Sequence, residues 1–385
     1  MKRNRQGFSG KRMSEHGFYL SLSKKNLSVD LEIYGYHLWS AICFFLFSFI
    51  FPPLSDVAPL VKKIDDPDMA NDKDLLRVVL TLDYACKEVG FFYVKGHGIC
   101  EMLMREVRDV SHKFFQLPYE EKMKIKMTRQ SGYRGYQKLG ENVTKEKRDM
   151  HEAVNCLTPI APGKYGDLGK TLEGDNLWPE YPSNLKVVLE NYISLVKDLS
   201  RKIMRGIALA LGGPADAFER GIAGDPYWAL RLVSYPVSSS DEKRTDDTGM
   251  ICLLVQYLCS DGRGSHTDYG LVTLVNQDDD ICALEVQNRS GVWIGANPIP
   301  GAFLCNIGDM LQVWSNGIYQ PTVHRVINSS HQRRVSAVFF YETDFDAAVE
   351  PVELCVEKTG GVAKYDKVVY GERLVRKAFC CFGHL

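Results

Sequence analysis

The stretch Gly264 to Val275, GSHTDYGLVTLV, sets a histidine and an aspartate two residues apart at the head of a run of β-formers. Polar side chains beside such a run are costly to bury unless something satisfies them. On a strand, residues i and i+2 share a face. A strand beginning near Ser265 therefore projects His266 and Asp268 together, as a nitrogen and an oxygen ligand for one metal ion. The best third ligand is His324, in QPTVHRVINS, 58 residues after His266 and on a strand of its own. Ten residues further on, RRVSAVFF places Arg334 and Ser336 two apart. A guanidinium beside a hydroxyl is suited to clamping a carboxylate.

The surroundings are those of a globular protein. The chain has 385 residues, 45% of them hydrophobic and 25% charged, with a formal net charge of −1. That balance carries no electrostatic footprint for nucleic acid or an anionic membrane, so a small-molecule partner is expected. The 11 cysteines are scattered and form no CxxC pair, as befits reduced thiols in a cytoplasmic protein, expected to be monomeric. LWSAICFFLFSFIF, Leu38 to Phe51, is 14 uncharged residues ended by Pro52 and Pro53. A spanning helix needs roughly 20 apolar residues, so membrane association through this segment is only a weak alternative. Residues 1–50 read as a poorly ordered extension.

From Leu54 the pattern is regular. Helices are expected over Asp74–Gly90, Met102–Phe115 and Asn191–Gly213, the last closed by Gly212 and Gly213, with Pro118 starting a shorter one. Phe91–Gly98 reads as a strand ending in a turn where His97 has a structural role, and Gly132–Gly140 as an aromatic, glycine-rich loop. After Tyr227 the texture changes to short strands: WALRLVSYP, GLVTLVNQ, ALEVQN, GVWIGANP, AFLCNIG, MLQVWSNG, TVHRVI and RVSAVFFYE. Asn316-Gly317 signals a hairpin. The class is mixed α+β, a sandwich or barrel with helices supplied by the N-terminal half.

Two histidines and one carboxylate form the facial triad of non-haem Fe(II) oxygenases. Together with HTDYGLVTLV, NIGDMLQVWSNGIYQPTVHRV, RRVSAVFFYETDFDAAVEP, ACKEVGFFYVKGHGI and FFQLPYEEKMKI, the chain from about Phe51 to His384 resembles the plant-type iron(II)/2-oxoglutarate-dependent dioxygenases related to isopenicillin N synthase. The resemblance implies a distorted double-stranded β-helix, or jelly roll, with flanking N-terminal helices. It implies His266, Asp268 and His324 as iron ligands, Arg334 and Ser336 as the clamp for the distal carboxylate of 2-oxoglutarate, O2 as co-substrate and ascorbate as reductant. The family's Asn-x-Tyr element falls on Val233-Ser234-Tyr235, keeping Tyr235 and replacing the Asn. The expected product is an oxidised, by default hydroxylated, small metabolite of the kind found in plant secondary metabolism, with succinate and CO2 released.

The implied organisation is an N-terminal region at 51–175, a jelly-roll domain at 226–345 and a helical tail at 346–385. GMICLLVQYLCSDGRG, Gly249 to Gly264, is an apolar insertion relative to the family. It is expected to pack outside the barrel, as a translated intron or else a lid. Pocket candidates are Tyr133, Arg134, Tyr136, His151 and Phe340, with Arg134 hinting at an acidic substrate. Three alternatives stand: an oxidase of the same fold without 2-oxoglutarate, a scaffold disabled by the insertion, and a zinc hydrolase, which would leave Arg334 and Ser336 without a role.

Overall fold

The structure, a computed structural model, describes residues 52–66, 69, 72–141, 143–144, 147–148, 150–237 and 265–382. The expectations for 1–50, including Leu38–Phe51, and for Gly249–Gly264 lie outside these residues. Fifteen strands are described: β1 (Leu54–Asp56), β2 (Phe91–Lys95), β3 (Gly135–Gln137), β4 (Val143–Thr144), β5 (Lys147–Arg148), β6 (Glu152–Leu157), β7 (Trp228–Tyr235), β8 (Val272–Gln277), β9 (Leu284–Gln287), β10 (Trp293–Gly295), β11 (Phe303–Ile307), β12 (His324–Val326), β13 (Arg334–Tyr341), β14 (Ala348–Val349) and β15 (Val368–Val369).

Eight of them form one large sheet in the order β1-β2-β11-β8-β13-β7-β6-β3, and β10-β9-β12 form a small one. This is the jelly-roll arrangement of a mixed α+β protein. Every residue of β7 and β13 is buried, so both faces of the large sheet are covered. The helices Glu101–Phe115 and Leu185–Leu211 pack on β13. On that outer face Asn276 of β8 donates to Met104 O and accepts from Arg108. The inner face is left for the site.

The helices follow their local signals. Asp72 caps Lys73–Glu88 by accepting from the backbone of Asp74 and Leu75, and Leu75, Val78, Val79, Leu82 and Cys86 form its buried stripe. The long helix runs from Leu185 to Leu211 and stops at Gly212, whose φ of 86° is the left-handed C-cap conformation. It starts six residues before the expected Asn191, because the stripe continues through Leu185, Val188 and Leu189. Pro118 sits at the N-cap of Tyr119–Met123.

Five expectations are corrected. MLQVWSNG contains no strand: Asp309–Trp314 is a helix burying Met310, Leu311, Val313 and Trp314. Its short apolar run fits either period, and only docking decides. Asn316 and Gly317 do adopt the positive φ that a hairpin turn demands, 49° and 79°, yet they lead out of this helix, with Gly317 N bonded to Gln312 O. The strand expected from Ser265 starts at Val272. His266 instead forms an isolated bridge with His324. The loop at Gly132–Gly140 includes β3, and the region after Asp346 carries the β14–β15 pair as well as the helices Glu353–Lys358 and Tyr370–Phe382.

The Asp309–Trp314 helix has a positional task. Its first amides are donors without intrahelical partners; Asp309 N binds Asp268 O, and Met310 N reaches Tyr269 O and Gly270 O. The approach is so close that a Cβ on Gly308 would lie 2.5 Å from Gly270 O and 2.9 Å from Asp268 O. Gly308→Ala is expected to cost about 1–3 kcal/mol of stability through this overpacking, read as a lower unfolding midpoint in a thermal melt. An unchanged midpoint would show that the turn at Asp268 gives way freely.

Candidate metal centre

His266 and His324 meet through reciprocal backbone hydrogen bonds, His266 N to His324 O at 3.1 Å and His324 N to His266 O at 2.9 Å. Their rings stand 4.2 Å apart between centroids. Asp268 Oδ1 lies 3.4 Å from His324 Nε2 and 3.8 Å from His266 Nε2. The three donor atoms all fall within 4.8 Å of one another, and all three residues are buried. Among the described residues no other group of three His, Cys, Asp or Glu side chains converges this way.

The carboxylate is oriented rather than merely placed. Asp268 Oδ2 accepts from Thr273 Oγ1 at 2.5 Å and from Asn306 Nδ2 at 2.7 Å. Thr273 and Asn306 are directly paired across β8 and β11, so their side chains share a face. With Oδ2 engaged, Oδ1 is the oxygen presented to the histidines. His324 Nδ1 lies 3.2 Å from Thr322 O; a carbonyl only accepts, so Nδ1 carries the proton and Nε2 keeps its lone pair. Phe91 braces the ring edge-on at 5.2 Å. A carboxylate oxygen and an imidazole lone pair this close repel each other unless a cation lies between them. Two imidazole nitrogens and one carboxylate oxygen suit a first-row divalent ion with further positions open. The donor set thus fits Fe(II).

Arg334 and Ser336 share the inner face, as their spacing predicts. Arg334 is fully buried. Its Nη2 donates to Gln277 Oε1 at 2.7 Å, and Nη1 lies 3.4 Å from Ser336 Oγ. Its guanidinium carbon stands 5.4 Å from the centre of the Tyr235 ring. Burial lowers the Arg334 pKa from its ordinary value, so an anion in contact would be strongly favoured.

The other candidates divide. Arg134 donates to Leu172 O and Thr158 O, each at 2.6 Å, and to Gly132 O. It ties backbone segments together, which removes the hint of an acidic substrate. Tyr136 OH donates to Glu152. Tyr133 is buried in the glycine-rich turn. Phe340 pairs with Thr273 across β13 and β8, and so faces inward. His151 packs against Tyr235 at 5.7 Å and contacts Arg231. His97 bonds Gly301 O and Ile99 N, the structural role expected of it. Sequence reasoning missed Thr273, Asn306 and Gln277. The available signal was alternation: Thr273 and Gln277 stand at even spacing along β8, and Asn306 is the one amide in β11.

Comparison with known proteins agrees with this geometry. Residues 53–181 match the family described as non-haem dioxygenase in morphine synthesis, N-terminal, and residues 249–343 match the 2OG-Fe(II) oxygenase superfamily. The chain is 69% identical over 332 residues to homoarginine-6-hydroxylase 2-ODD-233 of Oryza sativa subsp. japonica, covering 86% of this chain and 97% of that protein. It is 53% identical over 329 residues to homoarginine-6-hydroxylase 2-ODD-C23.1 of Arabidopsis thaliana, covering 84% and 96%. The crystal structure of a full-length Neurospora crassa protein in complex with α-ketoglutarate and thymine superposes with a TM-score of 0.70 at 26% identity, covering 86% of this chain and 98% of that one.

Removing the support of Asp268 tests its role. Asn306→Ala is expected to weaken Fe(II) affinity by about 10- to 100-fold, measured by anaerobic Fe(II) titration, with Thr273→Val acting in the same direction. Unchanged affinity in both variants would mean that Asp268 needs no outer support.

Proposed function

Because the chain belongs to the 2OG-Fe(II) oxygenase superfamily, we propose that this Fe(II)- and 2-oxoglutarate-dependent oxygenase hydroxylates homoarginine at carbon 6. The observation that carries the substrate is the 69% identity to a homoarginine-6-hydroxylase across 97% of that protein's length. Bound Fe(II), with 2-oxoglutarate and O2, supplies the oxidising power to hydroxylate an unactivated C–H bond, with succinate and CO2 as co-products.

The chain's own residues do the holding and orienting. His266, Asp268 and His324 are proposed as the iron ligands, Asp268 through Oδ1 alone because Thr273 and Asn306 occupy Oδ2. Arg334 and Ser336, with Tyr235 beside them, are proposed to hold the distal carboxylate of 2-oxoglutarate, while Gln277 fixes the guanidinium. An oxidase that used no 2-oxoglutarate would leave this buried clamp without an occupant. In this reading 226–345 carries the whole ligand set, and 51–175 and 346–385 wrap it.

Ascorbate is proposed as the reductant that keeps the iron ferrous. We propose a cytoplasmic monomer, and the net charge of −1 supports action on a free metabolite rather than on nucleic acid. Among the described residues no helix is long and apolar enough to cross a membrane.

Purified chain supplied with Fe(II), ascorbate and 2-oxoglutarate is expected to convert homoarginine to a product heavier by one oxygen, with matching succinate. Arginine, one methylene shorter, should be turned over about 10- to 200-fold less efficiently. Succinate release with arginine or lysine in preference to homoarginine would defeat the substrate assignment. Arg334→Ala should raise the KM for 2-oxoglutarate on the order of 100-fold, while Fe(II) affinity stays within a few-fold. Equal loss of both would show Arg334 to be structural.

A further inference from the structure

The two faces of β13 carry different groups. Arg334, Ser336 and Phe340 point to the metal side, while Tyr341, of the opposite parity, points to the face that the helices cover. There it lines a cavity of about 410 Å³. The other walls are one face of the helix Leu185–Leu211, the helix Ala217–Gly221 and the loop that leads into β7. Small-molecule sites have volumes of roughly 300–1,000 Å³, so the space is large enough for a ligand of its own.

The acids around this cavity already have partners. Asp198 is paired with Arg201 and Lys202, and Glu219 with Arg205 and Arg201. Asp344, beside Gly224, accepts from the backbone of Gly224 and Asp225. Arg201 is further held by two hydrogen bonds to Asp65. Lys197 differs. It lines the cavity half-buried and makes no ion pair among the described residues. Ser194, three residues earlier and so on the same helix face, lines it too, and its hydroxyl has no hydrogen-bond partner there. Deeper in, Tyr341 is 2% exposed, and its hydroxyl likewise has no hydrogen-bond partner among the described residues. A buried tyrosine hydroxyl usually finds one, as Tyr93 does at Asn297 O and Tyr319 at Asp83. Burial, then the charge of Glu219, push the Tyr341 pKa up, so the phenol keeps its proton and can donate it.

We propose that this cavity is a second small-molecule site, separate from the metal centre, and that it takes a small organic carboxylate. Lys197 and Ser194 hold the carboxylate at the mouth. Ala223 and Pro226 flank the apolar body, and the Tyr341 hydroxyl meets a polar group at the far end. A carboxylate answers the one cation of this lining that lacks a partner among the described residues, and it displaces no existing ion pair. A cationic ligand would have to compete with Arg201, Lys202 and Arg205 for acids that are already paired. The site lies on the reverse of the strand end nearest the metal: Tyr341 O accepts from Leu271 N, where the turn bearing Asp268 joins the large sheet.

The probe is 4-hydroxyphenylacetate, which has a carboxylate, an apolar ring and a hydroxyl at the far end. Phenylacetate lacks the hydroxyl, and 4-hydroxyphenethylamine carries an ammonium where the acid has its carboxylate. Binding is measured by anaerobic calorimetry on the full chain saturated with Fe(II) and 2-oxoglutarate, so that the clamp at Arg334 is already filled. Wild type is expected to bind 4-hydroxyphenylacetate at a single site, and the amine at least about 10-fold more weakly. Lys197→Met should weaken the acid by about 10- to 100-fold. Tyr341→Phe should weaken 4-hydroxyphenylacetate several-fold and leave phenylacetate unchanged. Thermal melts report folding, and Lys197, at the cavity mouth, carries the test even if the Tyr341 variant does not fold. Absence of acid binding to wild type would overturn the site, as would the amine binding as tightly as the acid. Unchanged affinity in folded Lys197→Met would place the acid elsewhere on the protein and overturn the site equally.

Discussion

The structure depends on one corner of the chain. His266 is held to His324 by two backbone hydrogen bonds, which joins it to the edge of the small sheet through β12. Six residues later Val272 already belongs to the large sheet. The chain therefore crosses from one sheet to the other between them, and Asp268 lies in the crossing. Strands that switch sheets make the corners of such sandwiches. Here the corner brings a ligand from the crossing segment against two ligands from the small sheet's edge. The carbonyls of the same turn are capped by the amides of the Asp309–Trp314 helix. Gly308 permits the approach. A metal centre between two sheets is thus a consequence of where the chain changes sheet.

Its neighbours follow from the same geometry. β8, leaving the corner, runs beside both β11 and β13. Thr273 and Asn306 then reach Asp268 from the β11 side, while Gln277, four residues on, reaches Arg334 from the β13 side. One strand orients both the metal's carboxylate and the proposed co-substrate clamp. Register matters accordingly: a slip of one residue would turn Thr273, Val275 and Gln277 to the helix-covered face.

The inner face is unusual for a protein core in its charge. Arg334 and Arg231 are both fully buried, and burying a guanidinium is expensive without acceptors or an anion. Gln277, Gln137 and His151 supply neutral acceptors. At Arg334, beside Ser336 and Tyr235, a co-substrate carboxylate would complete that set.

Much of this is legible in the order of the residues. The i, i+2 pairs His266/Asp268 and Arg334/Ser336, the order of the third histidine between them and the change from helical to strand texture after Tyr227 are local properties. They depend on residue type and spacing alone. The geometry behind the first pair was nonetheless different, since His266 and Asp268 meet through a bridge and a bend, not along one strand. MLQVWSNG shows the same limit: an apolar run of that length satisfies the helical and extended periods equally, and its amides' partners at Asp268–Gly270 come from another part of the chain. Thr273, Asn306 and Gln277 showed in the sequence only as polar residues of a strand, and their partners did not show, for a related reason. Each has meaning only through the residue opposite it on a neighbouring strand, and strand pairing is a long-range property of the fold. Residue type and spacing were enough to name the atoms that could bind a metal and a carboxylate. How those atoms are aimed belongs to the tertiary structure, because aim is set by hydrogen bonds between segments far apart in the chain.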